Sequence, residues 1–283
     1  MRRLGVLLLF LAGTAAAEQN SALDALTTRD DLRGFEPVGR VDIENGSFCT
    51  GALIAADLVL TAAHCVLSPD GSPVDAGRIT FRAGLSHGTA LAEVPVARTI
   101  ADPAYRQQAA ASVEMVERDV ALLQLADPIP SSLISPFAVG RPGTGSEVGV
   151  VSYAQGREEV LSWQRVCQVV GRQGRLIAFD CDVTFGSSGA PVFDRSGYRA
   201  KIVSIISAGG ELDGKTISFG MELPEQIDRL KAALRKGQAL SVAEPAAKVG
   251  IAPSGMPGTP GKRLVMQGDS GAATTGGARF VSP

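Results

Sequence analysis

Leu58-Val59-Leu60-Thr61-Ala62-Ala63-His64-Cys65 reads as a short buried strand that ends on a histidine. The 283 residues contain just one other histidine, His87. Histidine is the side chain that titrates near neutral pH unaided, so a general base of this kind has two candidates here. Working outward, Val38-Gly39-Arg40-Val41-Asp42-Ile43 alternates, Asn45-Gly46 is a hairpin signal, and Phe48 to Ile54 resumes the apolar pattern. Downstream, Arg78-Ile79-Thr80-Phe81-Arg82-Ala83 alternates until Gly84. Many short strands, frequent glycine and proline, and no long amphipathic helical period predict an all-β barrel or sandwich.

From Asp127 to Gly145 the chain carries Pro128, Pro130, Pro136 and Pro142, the composition of a connection between two units. A second strand-rich stretch follows through Glu147–Tyr153, Gln164–Val170, Leu176–Phe179 and Ile202–Ile206. Between Pro224 and Arg235 the period changes, and Ile227, Leu230 and Leu234 share one helical face. Beyond Gln238 the residues are small or polar and bury too little surface to offset ordering entropy, which predicts a disordered tail over 239–283. Met1-Arg2-Arg3, the apolar run Leu4 to Leu11 and Ala15-Ala16-Ala17 have the form of a signal peptide cleaved before Glu18. The expected division is therefore 1–17 signal peptide, 18–34 leader, 35–126 first β-unit, 127–145 linker, 146–238 second β-unit with a terminal helix, and 239–283 tail.

The apolar start is shorter than the ~20 residues a membrane span needs. The expectation is a secreted or periplasmic protein, with no membrane association after cleavage. A net charge of -2 favours neither nucleic acid nor an anionic surface. Four cysteines, Cys49, Cys65, Cys167 and Cys181, would meet an oxidising compartment. Three pairings are open to them. No C-x-x-C pair and no H-E-x-x-H is present, so neither a metal nor another cofactor is expected.

Two further stretches bear on chemistry, Arg118-Asp119-Val120-Ala121-Leu122-Leu123 and Phe185-Gly186-Ser187-Ser188-Gly189-Ala190-Pro191-Val192. With the His64 run, in the order His, Asp, Ser, they resemble the chymotrypsin-like (trypsin-fold) serine proteases over most of residues 35 to 238. The resemblance implies two six-stranded antiparallel β-barrels and a C-terminal helix, acting as a serine endopeptidase on polypeptides. It assigns His64, Asp119 and Ser188 as the catalytic group, with the backbone N–H groups of Gly186 and Ser188 as oxyanion donors. It also favours the sequential disulfides, Cys49 with Cys65 and Cys167 with Cys181, and matches Ser207-Ala208-Gly209 to the strand that pairs substrate backbone. Asp182 stands six positions before Ser188, where trypsin-like members carry the pocket acid that selects Arg or Lys. The alternative for Asp182 is a turn-former, and the pattern from Cys181 to Gly186 looks closer to bacterial glutamyl endopeptidases. Glutamyl preference is not implied, since those enzymes use a pocket histidine late in the chain and none follows His87.

Two decoys are set aside. Gly268-Asp269-Ser270-Gly271 has the form of a nucleophile loop but lies in the low-complexity tail. Gly84-Leu85-Ser86-His87-Gly88 fits the α/β-hydrolase elbow, yet no separate histidine follows Ser86. One departure also stands out. Trypsin-like zymogens place an Asp directly before the nucleophile to receive a freed N-terminus, and this chain has Ser187. A catalytically silent binding module, or an esterase using the same three residues, are the rival readings.

Overall fold

Segments that alternate apolar and polar residues can bury one face only by pairing into sheets. The computed structural model shows the chain doing so twice. It describes residues 22–44, 46–107, 112–143, 147–197, 199–212, 215–243 and 280–281. The segment read as a signal peptide and most of the segment read as a disordered tail, Ser270 included, lie outside the described residues.

The first strands are β1 (Leu23–Ala25), β2 (Val38–Ile43), β3 (Phe48–Ala55), β4 (Leu58–Thr61), β5 (Ile79–Ala83), β6 (Ala92–Ala101) and β7 (Ala121–Leu125). Helix α1 (Val113–Arg118) precedes β7, with Ser112 Oγ accepting the Met115 N–H at 3.2 Å as its cap. β2 to β7 form one sheet in the order β6-β5-β2-β3-β4-β7, closed into a six-stranded barrel by a β6–β7 pairing. β4 is buried along its whole length, and Val41, Leu53, Leu60, Phe81 and Leu122 fill the interior.

After the connection come β8 (Ala138–Val139), β9 (Glu147–Ala154), β10 (Arg157–Gln173), β11 (Leu176–Phe179), β12 (Pro191–Asp194), β13 (Lys201–Ile205), β14 (Ala208–Leu212) and β15 (Lys215–Met221). Then follow α2 (Pro224–Arg235), β16 (Ser241–Val242) and β17 (Phe280–Val281). The second sheet runs β17-β14-β15-β11-β10-β9-β12-β13-β8. It curls on itself where the Ser207 N–H reaches the Phe219 carbonyl at 2.8 Å and Ser204 Oγ bonds both backbone groups of Met221. Helix α2 buries Ile227, Leu230 and Leu234, the face its period predicts.

Three segments make contacts that the sequence reading did not describe. Residues 22–34, read as part of a leader, pack on the second sheet: β1 pairs with β10, Leu26 and Leu32 are buried, and Arg29 donates to the Gly84 and Thr89 carbonyls. The sheet continues past Gln238, because β16 pairs with β6 and Ser241 Oγ accepts the Ala76 N–H at 3.0 Å. β5 pairs with β6 only from Ala92 to Pro95, so the later half of β6 offers β16 backbone bonds that a composition argument does not register. β17 likewise pairs with β14 inside the segment read as a disordered tail. The linker, finally, is anchored by buried Ile129 and Ile134 and by β8, which runs parallel to β13.

Phe193 ties these parts together. Its ring lies 4.7 Å from that of Phe137 in the connection and 5.8 Å from that of Phe35, which also meets Trp163 at 4.9 Å. Phe193→Ala should therefore lower the unfolding free energy by about 3–5 kcal/mol. Leu133→Ala, at a side chain more than half exposed, should move it by less than about 0.5 kcal/mol. Chemical denaturation of the two variants checks the contrast.

Candidate active site

β4 ends at Thr61, and a 3-10 turn over Ala63–Val66 then carries His64 inward. The Cys49–Cys65 disulfide fixes that turn to β3. Asp119 follows α1 directly and is almost wholly buried. A buried carboxylate needs donors, and Asp119 has three. Oδ1 accepts the His64 backbone N–H at 2.9 Å, while Oδ2 meets His64 Nδ1 at 2.7 Å and accepts from Ser207 Oγ at 2.5 Å. With Asp119 accepting, the Nδ1 nitrogen carries the proton and Nε2 presents its lone pair. Nε2 is buried and has no hydrogen-bond partner among the described residues. Tyr105 is buried near Asp119, and burial first, then the Asp119 charge, pushes its phenol well above the ordinary range.

Ser188 lies on the loop between β11 and β12, which the Cys167–Cys181 disulfide ties to β10. Gly189 sits at φ +75°, and a Cβ there would fall 2.2 Å from Thr61 Oγ1 and 2.3 Å from the Thr50 carbonyl oxygen. Only glycine lets the loop come this close to the residues leading into His64. The Thr50 N–H donates to the Ser188 carbonyl at 2.8 Å, so the Ser188 loop and the His64 turn share one wall. Ser188 Oγ and His64 Nε2 are not hydrogen-bonded to each other, as is common before substrate tightens such a contact.

Gly186, at φ +89°, also has no room for a side chain, since a Cβ would lie 2.4 Å from the Phe48 ring. The peptide before it is held by the Gln155 N–H, which donates to the Phe185 carbonyl at 2.7 Å. Carbonyl and N–H point opposite ways in a trans peptide, so the Gly186 N–H faces away from Gln155. Neither this N–H nor that of Ser188 is given to an acceptor among the described residues. The arrangement leaves two backbone donors free beside a buried hydroxyl.

The other singled-out residues fall in several places. Ser207, Ala208 and Gly209 do lead into β14 beside this wall, but Ser207 directs its hydroxyl at Asp119, a link the sequence reading missed. The outer edge of β14 pairs with β17, with Gly209 opposite Val281 and Gly210 opposite Phe280. Asp182 is exposed instead of enclosed at a pocket base, and its N–H donates to Gln164 Oε1 at 2.7 Å. Ser86 and His87 form a tight turn in which Ser86 and Thr89 exchange backbone bonds, with His87 at φ 48° and exposed. No strand-to-helix elbow exists there. Cys49, His64 and Cys65 lie close enough to suggest metal ligation, but both sulfurs are consumed by their mutual disulfide and offer no thiolate.

The family profile described as trypsin-like peptidase domain matches residues 49–198, just over half of the chain. Among solved structures, a Glu endopeptidase in complex with MPD is similar at a TM-score of 0.62 and 19% identity, covering 76% of this chain and 97% of that one. At that identity the likeness speaks for the fold alone. No curated protein matches the chain.

Gly34 offers a control for the Ser188 loop, since it has φ +84° but open space where a Cβ would stand. Gly34→Ala should cost about 1–2 kcal/mol, the left-handed penalty alone. Gly189→Ala should cost a further 1–3 kcal/mol or so from overpacking. Thermal unfolding of the two variants measures the difference.

Proposed function

The chain belongs to the trypsin-like peptidase domain family, and on that footing we propose that it is a serine endopeptidase using Ser188, His64 and Asp119. One observation carries the reading. Asp119 holds Nδ1 of a buried imidazole at 2.7 Å while Nε2 stays unpartnered, and β3 is tied both to the His64 turn by Cys49–Cys65 and to the Ser188 carbonyl by the Thr50 N–H. That is an imidazole prepared to accept a proton.

In the proposed reaction Ser188 Oγ attacks the scissile carbonyl carbon as His64 Nε2 takes its proton. The oxyanion develops between the Gly186 and Ser188 N–H groups, which lie in a region of low water access and need no reorganisation. Collapse of the tetrahedral species passes the proton from His64 to the leaving amine and leaves an acyl ester on Ser188. Water then repeats the sequence, with His64 again as base, and frees the acid. Asp119 stays ionised throughout and supports the imidazolium.

The acyl side of the substrate would add to β14 along Ala208 and Gly209 as an extra strand, taking the positions that pair with β17. The exposed Asp182 gives no enclosed carboxylate for a basic side chain, and selection for Arg or Lys is not part of this reading. The two disulfides fit an extracellular or periplasmic location. No helix among the described residues is long and apolar enough to cross a membrane.

A fluorophosphonate probe followed by peptide mapping is the direct test. Label should appear on Ser188, vanish in Ser188→Ala and persist in Ser270→Ala, with peptide hydrolysis in Ser188→Ala down by roughly 10⁴–10⁶-fold. Label elsewhere overturns the assignment, and turnover of esters without peptides points to an esterase. Asp119→Asn should lower kcat by about 10⁴-fold through loss of the correct tautomer.

A chain shortened to end at Ala243 should still cleave extended peptides with a KM no higher than the full chain, because the β14 edge is then unpaired. A higher KM would show that β17 helps to build the site.

A further inference from the structure

Ser187 separates the two candidate oxyanion donors and is fully buried. Its place is the one where the family resemblance implies an acid that receives a free amine. Here the side chain is neutral, and the described start of the chain is occupied elsewhere, with β1 paired to β10 at Ser162–Gln164. The loop must be held by other means.

Ser187 Oγ donates to Ser152 Oγ at 3.2 Å, and Ser152 is itself almost wholly buried. Arg157, across the Gln155–Gly156 turn, grips the same serine twice. Its Nη1–H donates to the Ser152 carbonyl at 2.7 Å and its Nη2–H to Ser152 Oγ at 3.1 Å. The turn also supplies the Gln155 N–H that holds the Phe185 carbonyl. Glu158 Oε1 accepts the Gly156 N–H at 2.7 Å and fixes the turn. The guanidinium is half-buried, and burial depresses its pKa while the charge of Asp182 acts the other way.

We propose that Arg157 is the positioning residue of the oxyanion loop, acting through Ser152 on Ser187 so that Gly186 and Ser188 present their N–H groups without an inserted N-terminal amine. A bidentate guanidinium suits this task, because it fixes the carbonyl and hydroxyl of one residue together. The proposal rests on the serine endopeptidase reading above.

The test uses the full chain and one peptide identified as cleaved in a casein digest. Wild type, Arg157→Ala, Arg157→Lys, Ser187→Ala and the Arg157→Ala/Ser187→Ala double variant are compared for kcat and KM. They are also compared for affinity to the matching peptide aldehyde, whose hemiacetal oxygen needs both N–H groups. The reduced-bond analogue of the peptide, which lacks the carbonyl oxygen, serves as reference. In Arg157→Ala, kcat should fall by about 10–100-fold with KM within about threefold.

Aldehyde affinity should weaken in step with kcat while the reduced-bond analogue binds as before, and Arg157→Lys should recover part of the loss. The double variant should be little worse than Arg157→Ala, since both changes break one chain of bonds. Unchanged kcat, equal weakening of both ligands, or losses that multiply in the double variant overturn the proposal. If Arg157→Ala does not fold, Ser187→Ala leaves the Arg157 grip on Ser152 intact and carries the same kcat and aldehyde readings. A wild type neither labelled at Ser188 nor active on peptides removes the serine endopeptidase reading, and the proposal with it. A labelled, active wild type with indifferent variants removes the proposal alone.

Discussion

A carboxylate almost sealed from water is tolerated only when donors surround it, and removing one partner of such a group costs roughly 3–5 kcal/mol. Asp119 meets that constraint with donors from both halves of the molecule. His64 comes from the turn after β4 in the closed barrel, and Ser207 from the junction of β13 and β14 in the second sheet. The bond to Ser207 spans 88 positions of sequence. Misalignment of the two halves would therefore leave a buried charge short of a partner. The same contact that orients the imidazole also registers one sheet against the other.

Thr50 repeats this logic on the Ser188 side. Its N–H holds the Ser188 carbonyl, and its hydroxyl donates to the Gly186 carbonyl at 2.9 Å while accepting the Tyr153 N–H at 3.1 Å. A single β3 residue of the barrel thus fixes both ends of a loop that belongs to the second sheet. Further along the loop, the Gly189 N–H reaches the Ile206 carbonyl at 2.7 Å and the Ile206 N–H returns to the Ala190 carbonyl at 2.9 Å. Within the loop the Ser187 N–H donates to the Thr184 carbonyl and the Ala190 N–H to the Ser187 carbonyl, both at 2.9 Å, and its other backbone bonds run to Thr50, Gln155 and Ile206.

Local patterns carried the strands well, because alternation over 38–43 and 78–83 and the apolar run at 58–60 are short-range consequences of burial on one face. The helix at 224–235 was legible for the same reason. The three candidate catalytic residues were legible only through their resemblance to a known order, since nothing local to Asp119 distinguishes it from any other acid. Ser207 takes its meaning from Asp119, 88 positions away, Asp182 from Gln164 on β10, and Arg157 from a nearby hydroxyl that leads on to Ser187, and there the sequence was silent or misleading. The contacts made by 22–34 and 239–243 were not legible, because each segment is short and carries no periodic pattern of its own. Their placement depends on a few buried side chains such as Leu26 and Leu32, and on the sheet strands β10 and β6 that they pair with.

The two disulfides follow from the same division between ladder and loop. His64 and Ser188 both sit where the chain leaves a sheet, so neither belongs to a β-ladder that sets its register. Cys65 is the residue after His64, and Cys181 opens the loop that leads to Ser188; each is tied to a strand, β3 through Cys49 and β10 through Cys167. The separations of 16 and 14 residues correspond to about 3 kcal/mol of loop-closure entropy each. Covalent constraint is thus placed at the two points where ladder hydrogen bonds are missing, one beside His64 and one leading to Ser188, where the proposed reaction would be most sensitive to a displacement of about an ångström.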